Sequence, residues 1–314
     1  MRYGVLSGVL WGLDTVILGI ALATHPFIGT AEALAFAAIA SSFLHDAFCA
    51  IWLFVIMGVK HRLGDTLKAL KTKSAVIVIL GALLGGPIGM TGYVLAINNI
   101  GPAYTAIISA FYPALGAFLS FVILKERMQR RQIAALLIAL VGVMTMGAIS
   151  AGSSEATNPA LGLFGAFLAV GGWGSEAVLC AWGMRDDLID DETALQIRET
   201  TSAIVYGIVV LPIFGAWAFT AEAIPSAATG IVAASALAGT FSYLMYYKGI
   251  AKIGATKAMA LNISYSAWAV FFGFILQGTV PTATTVLCCA VILMGTVLAA
   301  ADWNELFGSS ETDQ

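Results

Sequence analysis

Six ionisable side chains, Asp14, His45, Asp46, Glu176, Arg198 and Glu199, sit inside long apolar runs of the chain. At membrane depth such groups cost several kcal/mol, which makes each a functional candidate from the outset. Asp14 follows Trp11 by three residues, and Glu176 follows Trp173 by three. On a helix that spacing places acid and indole on one face. An indole face beside a carboxylate suits an organic cation. A quaternary ammonium has no N–H to donate, so proteins hold it with aromatic faces, roughly 2 kcal/mol or more each when desolvated, plus an anion. Further rings are at hand in Phe111-Tyr112, Tyr243, Tyr246, Tyr247, and Tyr265 with Trp268 three residues on. For any one tyrosine, core packing or the interfacial belt is the plainer role.

The polar candidates keep alternatives. Asp14 suits proton coupling, or hydrogen bonding to a neighbouring hydroxyl as helix glue. His45 titrates near neutrality and fits a proton relay, a substrate hydrogen bond or a structural contact. Arg198 and Glu199 fall within a few turns of a helix start, where snorkelling or mutual pairing explains them. No catalytic residue is expected: the spans contain no Gly-x-Gly-Asp, His-Glu-x-x-His or Ser/His arrangement. Cys49, Cys180, Cys288 and Cys289 lie in apolar stretches without CxxC spacing, so neither a metal site nor a cofactor is expected.

The elements that carry these residues follow from composition. Of 314 residues, 60% are hydrophobic and only 11% charged. A water-soluble domain carries about 25% charged residues, so lipid must solvate most of this surface. A span needs about 20 apolar residues. Breaks at polar and Gly/Pro clusters then give ten spans, near 3–22, 31–59, 74–97, 101–124, 131–150, 160–182, 190–218, 227–250, 255–276 and 281–301. Gly85-Gly86-Pro87 and Pro113 interrupt two of them, and Gly4, Gly8 and Gly12 give the first a smooth face. Ala21-Leu22-Ala23 imitates a signal-peptide cleavage site, but Asp14 is out of place in an apolar leader and the segment is expected to stay.

Fourteen of the 15 Lys and Arg lie before span 1 or in and beside the connections after spans 2, 4, 6 and 8; Arg198 is the fifteenth. Opposite connections such as 29–32 and 151–155 contain none. The positive-inside rule then puts both termini in the cytoplasm. The near-balance of charge, −3 overall, argues against a nucleic-acid partner.

The chain also repeats itself. A shift of 153 places Tyr93–Gly101 on Tyr246–Gly254, Tyr112 on Tyr265, and His45-Asp46 on Arg198-Glu199. A shift of 162 places Trp11-Gly12-Leu13-Asp14 on Trp173-Gly174-Ser175-Glu176. Halves of five spans, divided at 152/153, enter the membrane from opposite sides. The expected fold is therefore an all-α integral membrane protein, a 5+5 inverted repeat, with its site near the midplane where the halves meet.

Five-plus-five architecture of this kind resembles the drug/metabolite transporter superfamily with paired EamA-type halves. Gly81–Met90, Ser109–Ala114, Trp173-Gly174-Ser175-Glu176 and Asn262-Ile263-Ser264-Tyr265 narrow the resemblance to the LicB choline transporters, over nearly the whole chain. That resemblance implies choline uptake across the bacterial inner membrane, in some members for decorating surface polymers with phosphocholine. It implies a site on Trp11, His45, Tyr112, Trp173, Glu176, Tyr247, Tyr265 and Trp268. Asp14 departs from the pattern, a small residue standing there in a member of the family. Import driven by membrane potential, with proton coupling through Asp14, His45 or Glu176, is the leading expectation. Export of cationic drugs, amino acids or other metabolites is the alternative.

Overall fold

The structure, a computed structural model, describes residues 1–149 and 158–301. The Lys- and Arg-free connection at 151–155 and the division at 152/153 lie outside the described residues. Within them every regular element is helical, and ten helices are long and apolar enough to cross a bilayer. These are span 1 (Arg2–Leu22), span 2 (Ala31–Val59), span 3 (Lys73–Gly101), span 4 (Tyr104–Leu124) and span 5 (Arg130–Ile149), then span 6 (Pro159–Gly183), span 7 (Asp191–Phe214), span 8 (Ala227–Ile253), span 9 (Ala255–Gln277) and span 10 (Ala283–Ala300).

Local chemistry explains the starts. Thr30, Thr72, Asn158, Asp190, Ser226 and Thr282 each accept a hydrogen bond from the backbone N–H three residues on, satisfying a donor that a helix start leaves orphaned. Span 7 is shorter than the pattern suggests. Gly215 turns the chain at φ 67°, and the run read as its tail begins a separate helix, Trp217–Ala223. Outward-facing side chains such as Leu34, Phe167, Ile213 and Leu287 are apolar and exposed, as a lipid-facing belt requires.

Packing follows the repeat. Span 1 lies along span 8 as span 6 lies along span 3; span 5 pairs with span 10, and span 2 with span 7. Gly101 and Gly254, matched by the 153 shift, both carry left-handed φ, 79° and 86°, where the chain passes between spans 3 and 4 and between spans 8 and 9. A side chain would be strained at either. Span 4 breaks at Ala110-Phe111 and span 9 breaks at the matched Ile263-Ser264, so Tyr112 and Tyr265 each open a new helical segment. Span 3 stays continuous through Gly85-Gly86-Pro87 by widening into a π-helical turn, Leu84–Ile88. That geometry accommodates a proline lacking its N–H.

At the basic end, Arg62 pairs with Asp65 (3.0 Å), Asp190 (2.5 Å) and Glu192 (2.7 Å), tying the end of span 2 to the start of span 7. Burial pushes the Asp190 carboxyl up, but Thr193 and Arg62 outweigh it and hold the group below the usual carboxylate range. Glu126, after span 4, accepts from the backbone N–H groups of Ala255 and Thr256, both at 3.0 Å, and so caps span 9.

Spans 3 and 6 touch backbone to backbone. A Cβ at Gly165 would lie 2.5 Å from the Gly92 oxygen, and a Cβ at Gly92 would lie 2.6 Å from the Gly165 oxygen. Gly165→Ala is expected to destabilise the protein by about 1–3 kcal/mol, the cost of overpacking. Gly171→Ala, on the same span with open space around it, is expected to leave stability unchanged or raised. Thermal unfolding of both variants in detergent checks the contrast.

Candidate functional site

Two adjoining arrangements occupy the meeting of the halves. The first is aromatic. Trp173 on span 6 stands 5.1 Å from the Tyr93 ring and 5.9 Å, edge to face, from Tyr112. With Tyr265 these rings line a cavity of about 350 Å³, within the size range of small-molecule sites. Ser109 and Ser266 add hydroxyls, and among the described residues no charged side chain lines it. Val143, Met146 and Gly147, from the last turns of span 5, close one side. Span 5 starts at the Lys- and Arg-bearing end, so the cavity is displaced toward the opposite end of the bundle.

Trp11, the partner of Trp173 in the repeat, sits behind this cavity, 5.9 Å from Tyr265 and 4.9 Å from Tyr243. Each tryptophan thus packs on its own pair of tyrosines, one of them at a broken span. Trp268 is off the cavity, against Gly12 and 6.1 Å from Phe271.

The second arrangement is ionic and buried. His45 Nε2 lies 3.1 Å from Asp14 Oδ1, and Ser235 donates a short hydrogen bond to the same carboxylate. Arg198 Nε donates to Glu176 Oε1 at 2.6 Å, its Nη1 lies 2.9 Å from Glu199 Oε1 and 3.8 Å from Asp46 Oδ2, and its guanidinium stacks 4.8 Å from the Tyr243 ring centre. Ser202 donates to Asp46, and the Tyr247 hydroxyl faces Glu176 Oε1 at 3.4 Å and Cys180 Sγ at 3.2 Å. His45 Nδ1 lies 3.7 Å from Asp46 Oδ1, which joins the halves of the network. The repeat organises it: the acid of span 1 meets the base of span 2, Asp14 with His45, as the acid of span 6 meets the base of span 7, Glu176 with Arg198.

Tyr112, Trp173 and Tyr265, then, come together around the cavity, with Trp11 against Tyr265. Asp14, His45, Glu176 and Tyr247 belong to the ionic network, and Trp268 joins neither. Arg198 and Glu199 do not snorkel: they are 3% and 0% exposed and sit inside the network. Tyr93 is the ring that sequence reasoning passed over. Its signal was present, since it heads the repeated segment Tyr93–Gly101, but there it served only to align the halves.

Ten apolar spans packed in repeat-matched pairs are the architecture of a multi-pass membrane protein. The family described as EamA-like transporter family matches residues 2–148 and 160–301, and the chain belongs to it. Protein LicB of Haemophilus influenzae (strain ATCC 51907 / DSM 11121 / KW20 / Rd) is 29% identical over 304 residues, covering 94% of this chain and 95% of that protein. A solved crystal structure shares the fold with a TM-score of 0.70 at 16% identity, over 95% of each chain.

Proposed function

We propose that the protein is a secondary transporter importing choline across the bacterial inner membrane by alternating access between two inverted five-span halves, at residues 1–152 and 153–314, with both termini in the cytoplasm. The observation that carries this reading is the cavity of Tyr93, Tyr112, Trp173 and Tyr265, four rings with no charged group lining it among the described residues. A quaternary ammonium needs such faces and makes no use of hydrogen-bond acceptors at nitrogen. With the basic connections inside, the cavity faces outward, where an imported substrate must load. An inside-negative potential contributes roughly 2.3 kcal/mol per 100 mV to the entry of one positive charge. The resemblance to the LicB choline transporters supplies the particular ammonium.

Calorimetric titration of purified protein with choline tests the reading, with ethanolamine and a neutral amino acid as controls. Saturable choline binding, well above that of ethanolamine, is expected. Folded protein that binds no choline overturns the substrate. Uptake of choline by a choline-starved host expressing the gene checks direction, because an exporter gives none. Asp14, His45 and Glu176 are the groups proposed for proton coupling, and uptake that ignores an imposed pH gradient at clamped potential removes that role.

A further inference from the structure

Among the described residues the aromatic cavity has rings but no anion, whereas the carboxylate one turn away on the Trp173 face, Glu176, is engaged with Arg198 at 2.6 Å. The surroundings of Arg198 are those an organic cation would seek. Its guanidinium lies 4.8 Å from the Tyr243 ring centre, and it is buried between the carboxylates of Glu176 and Glu199, with the Tyr247 hydroxyl on Glu176. The network is also short of positive charge. Asp14, Asp46, Glu176 and Glu199 are four carboxylates, against one permanent cation and one imidazole.

We infer that Arg198 is a resident competitor for the substrate: it holds Glu176 while the protein is empty and yields it to a quaternary ammonium that passes from the aromatic cavity toward the basic end. The inference rests on the choline reading above and adds to it a cation exchange at one carboxylate. Glu176 lies closer than Trp173 to the basic end, since span 6 runs from Pro159 to Gly183 toward it. Passing from the rings to Glu176 is therefore movement along the import direction. With Arg198 in place, Glu176 adds little to binding in the empty protein; once Arg198 is removed it does.

The test is calorimetric titration with choline and with tetramethylammonium, the bare headgroup, on the full-length protein. Removing Arg198 alone leaves three carboxylates around a missing cation, so the principal variant is R198Q/E199Q, which takes out the cation with its nearest anion and keeps the net charge. R198Q is run beside it, and thermal unfolding reports whether each is folded. The expected result is about tenfold tighter binding of both ligands by R198Q/E199Q, the gain disappearing when E176Q is added, together with slower choline uptake because the exchange no longer occurs. Unchanged or weaker binding in folded R198Q/E199Q overturns the inference while leaving choline as substrate. A gain that survives E176Q also overturns it, since the competition would not be for Glu176. Failure of the wild type and of both variants to bind either ligand overturns the choline reading, and this inference with it.

Discussion

Trp173→Ala is expected to weaken choline binding by at least 30-fold, read by calorimetry on protein whose unfolding temperature shows it is folded. One desolvated indole face is worth roughly 2 kcal/mol to an organic cation, and each 1.4 kcal/mol is tenfold. Trp173 does more than offer its own face. It packs on Tyr93 at 5.1 Å and on Tyr112 at 5.9 Å, so its removal also loosens the two rings that complete the cavity. Trp173→Phe keeps an aromatic face and is expected to fall between the two. Trp11→Ala should cost less, because Trp11 reaches the cavity only through Tyr265. A change of less than threefold in Trp173→Ala would remove the cation from the rings.

The second large effect comes from a residue with no side chain. Gly85 sits in the π-helical turn of span 3, and a Cβ built there would fall inside the Glu176 carboxylate. The missing Cβ is thus the space in which Glu176 reaches Arg198. Gly85→Ala is expected to reduce choline uptake at least tenfold by displacing that carboxylate, and to lower the unfolding temperature, because the added methyl would also lie 2.8 Å from the Glu176 Cβ. The assignment is checked with Glu176→Ala, which should also be impaired: adding Gly85→Ala to it should cost clearly less than it does in the wild type, since coupled residues are non-additive and only the contact with the Glu176 Cβ remains. Full additivity would mean that Gly85 acts through the backbone instead.

Much of this was legible in the sequence because lipid imposes few options. Apolar runs of about 20 residues can only be helices there, and polar breaks fix their ends to within a few residues. The repeat identified Trp11 with Trp173 and Tyr112 with Tyr265, and the structure brings Tyr112, Trp173 and Tyr265 to one cavity with Trp11 against Tyr265. What one dimension did not hold was partnership. Spacing showed that Glu176 shares a face with Trp173, but only packing of span 7 against span 3 and span 8 shows that Arg198 takes up that carboxylate. The same gap explains why Arg198 and Glu199 looked like interfacial residues. Sequence position gave their depth from a helix start, and their neighbours come from spans distant in the chain. Gly85 read as a kink for a similar reason: nothing in Gly85-Gly86-Pro87 announces which side chain fills the space.

The cap that Glu126 places on span 9 ties the connection after span 4 to the start of span 9 at the basic end. At the basic end, opening must break two carboxylate-to-amide bonds, those to Ala255 and Thr256. The positions that the 153 shift assigns to the other end are Thr279, which carries no charge, Pro102, which has no amide hydrogen, and Ala103. Hydrogen bonds to a charged group contribute about 1.5–3 kcal/mol each. In a protein that alternates, an imbalance of a few kcal/mol leaves the disfavoured orientation at roughly 0.1–10% of molecules. For a carrier that alternates as proposed, such an imbalance favours a resting orientation with its mouth away from the basic end.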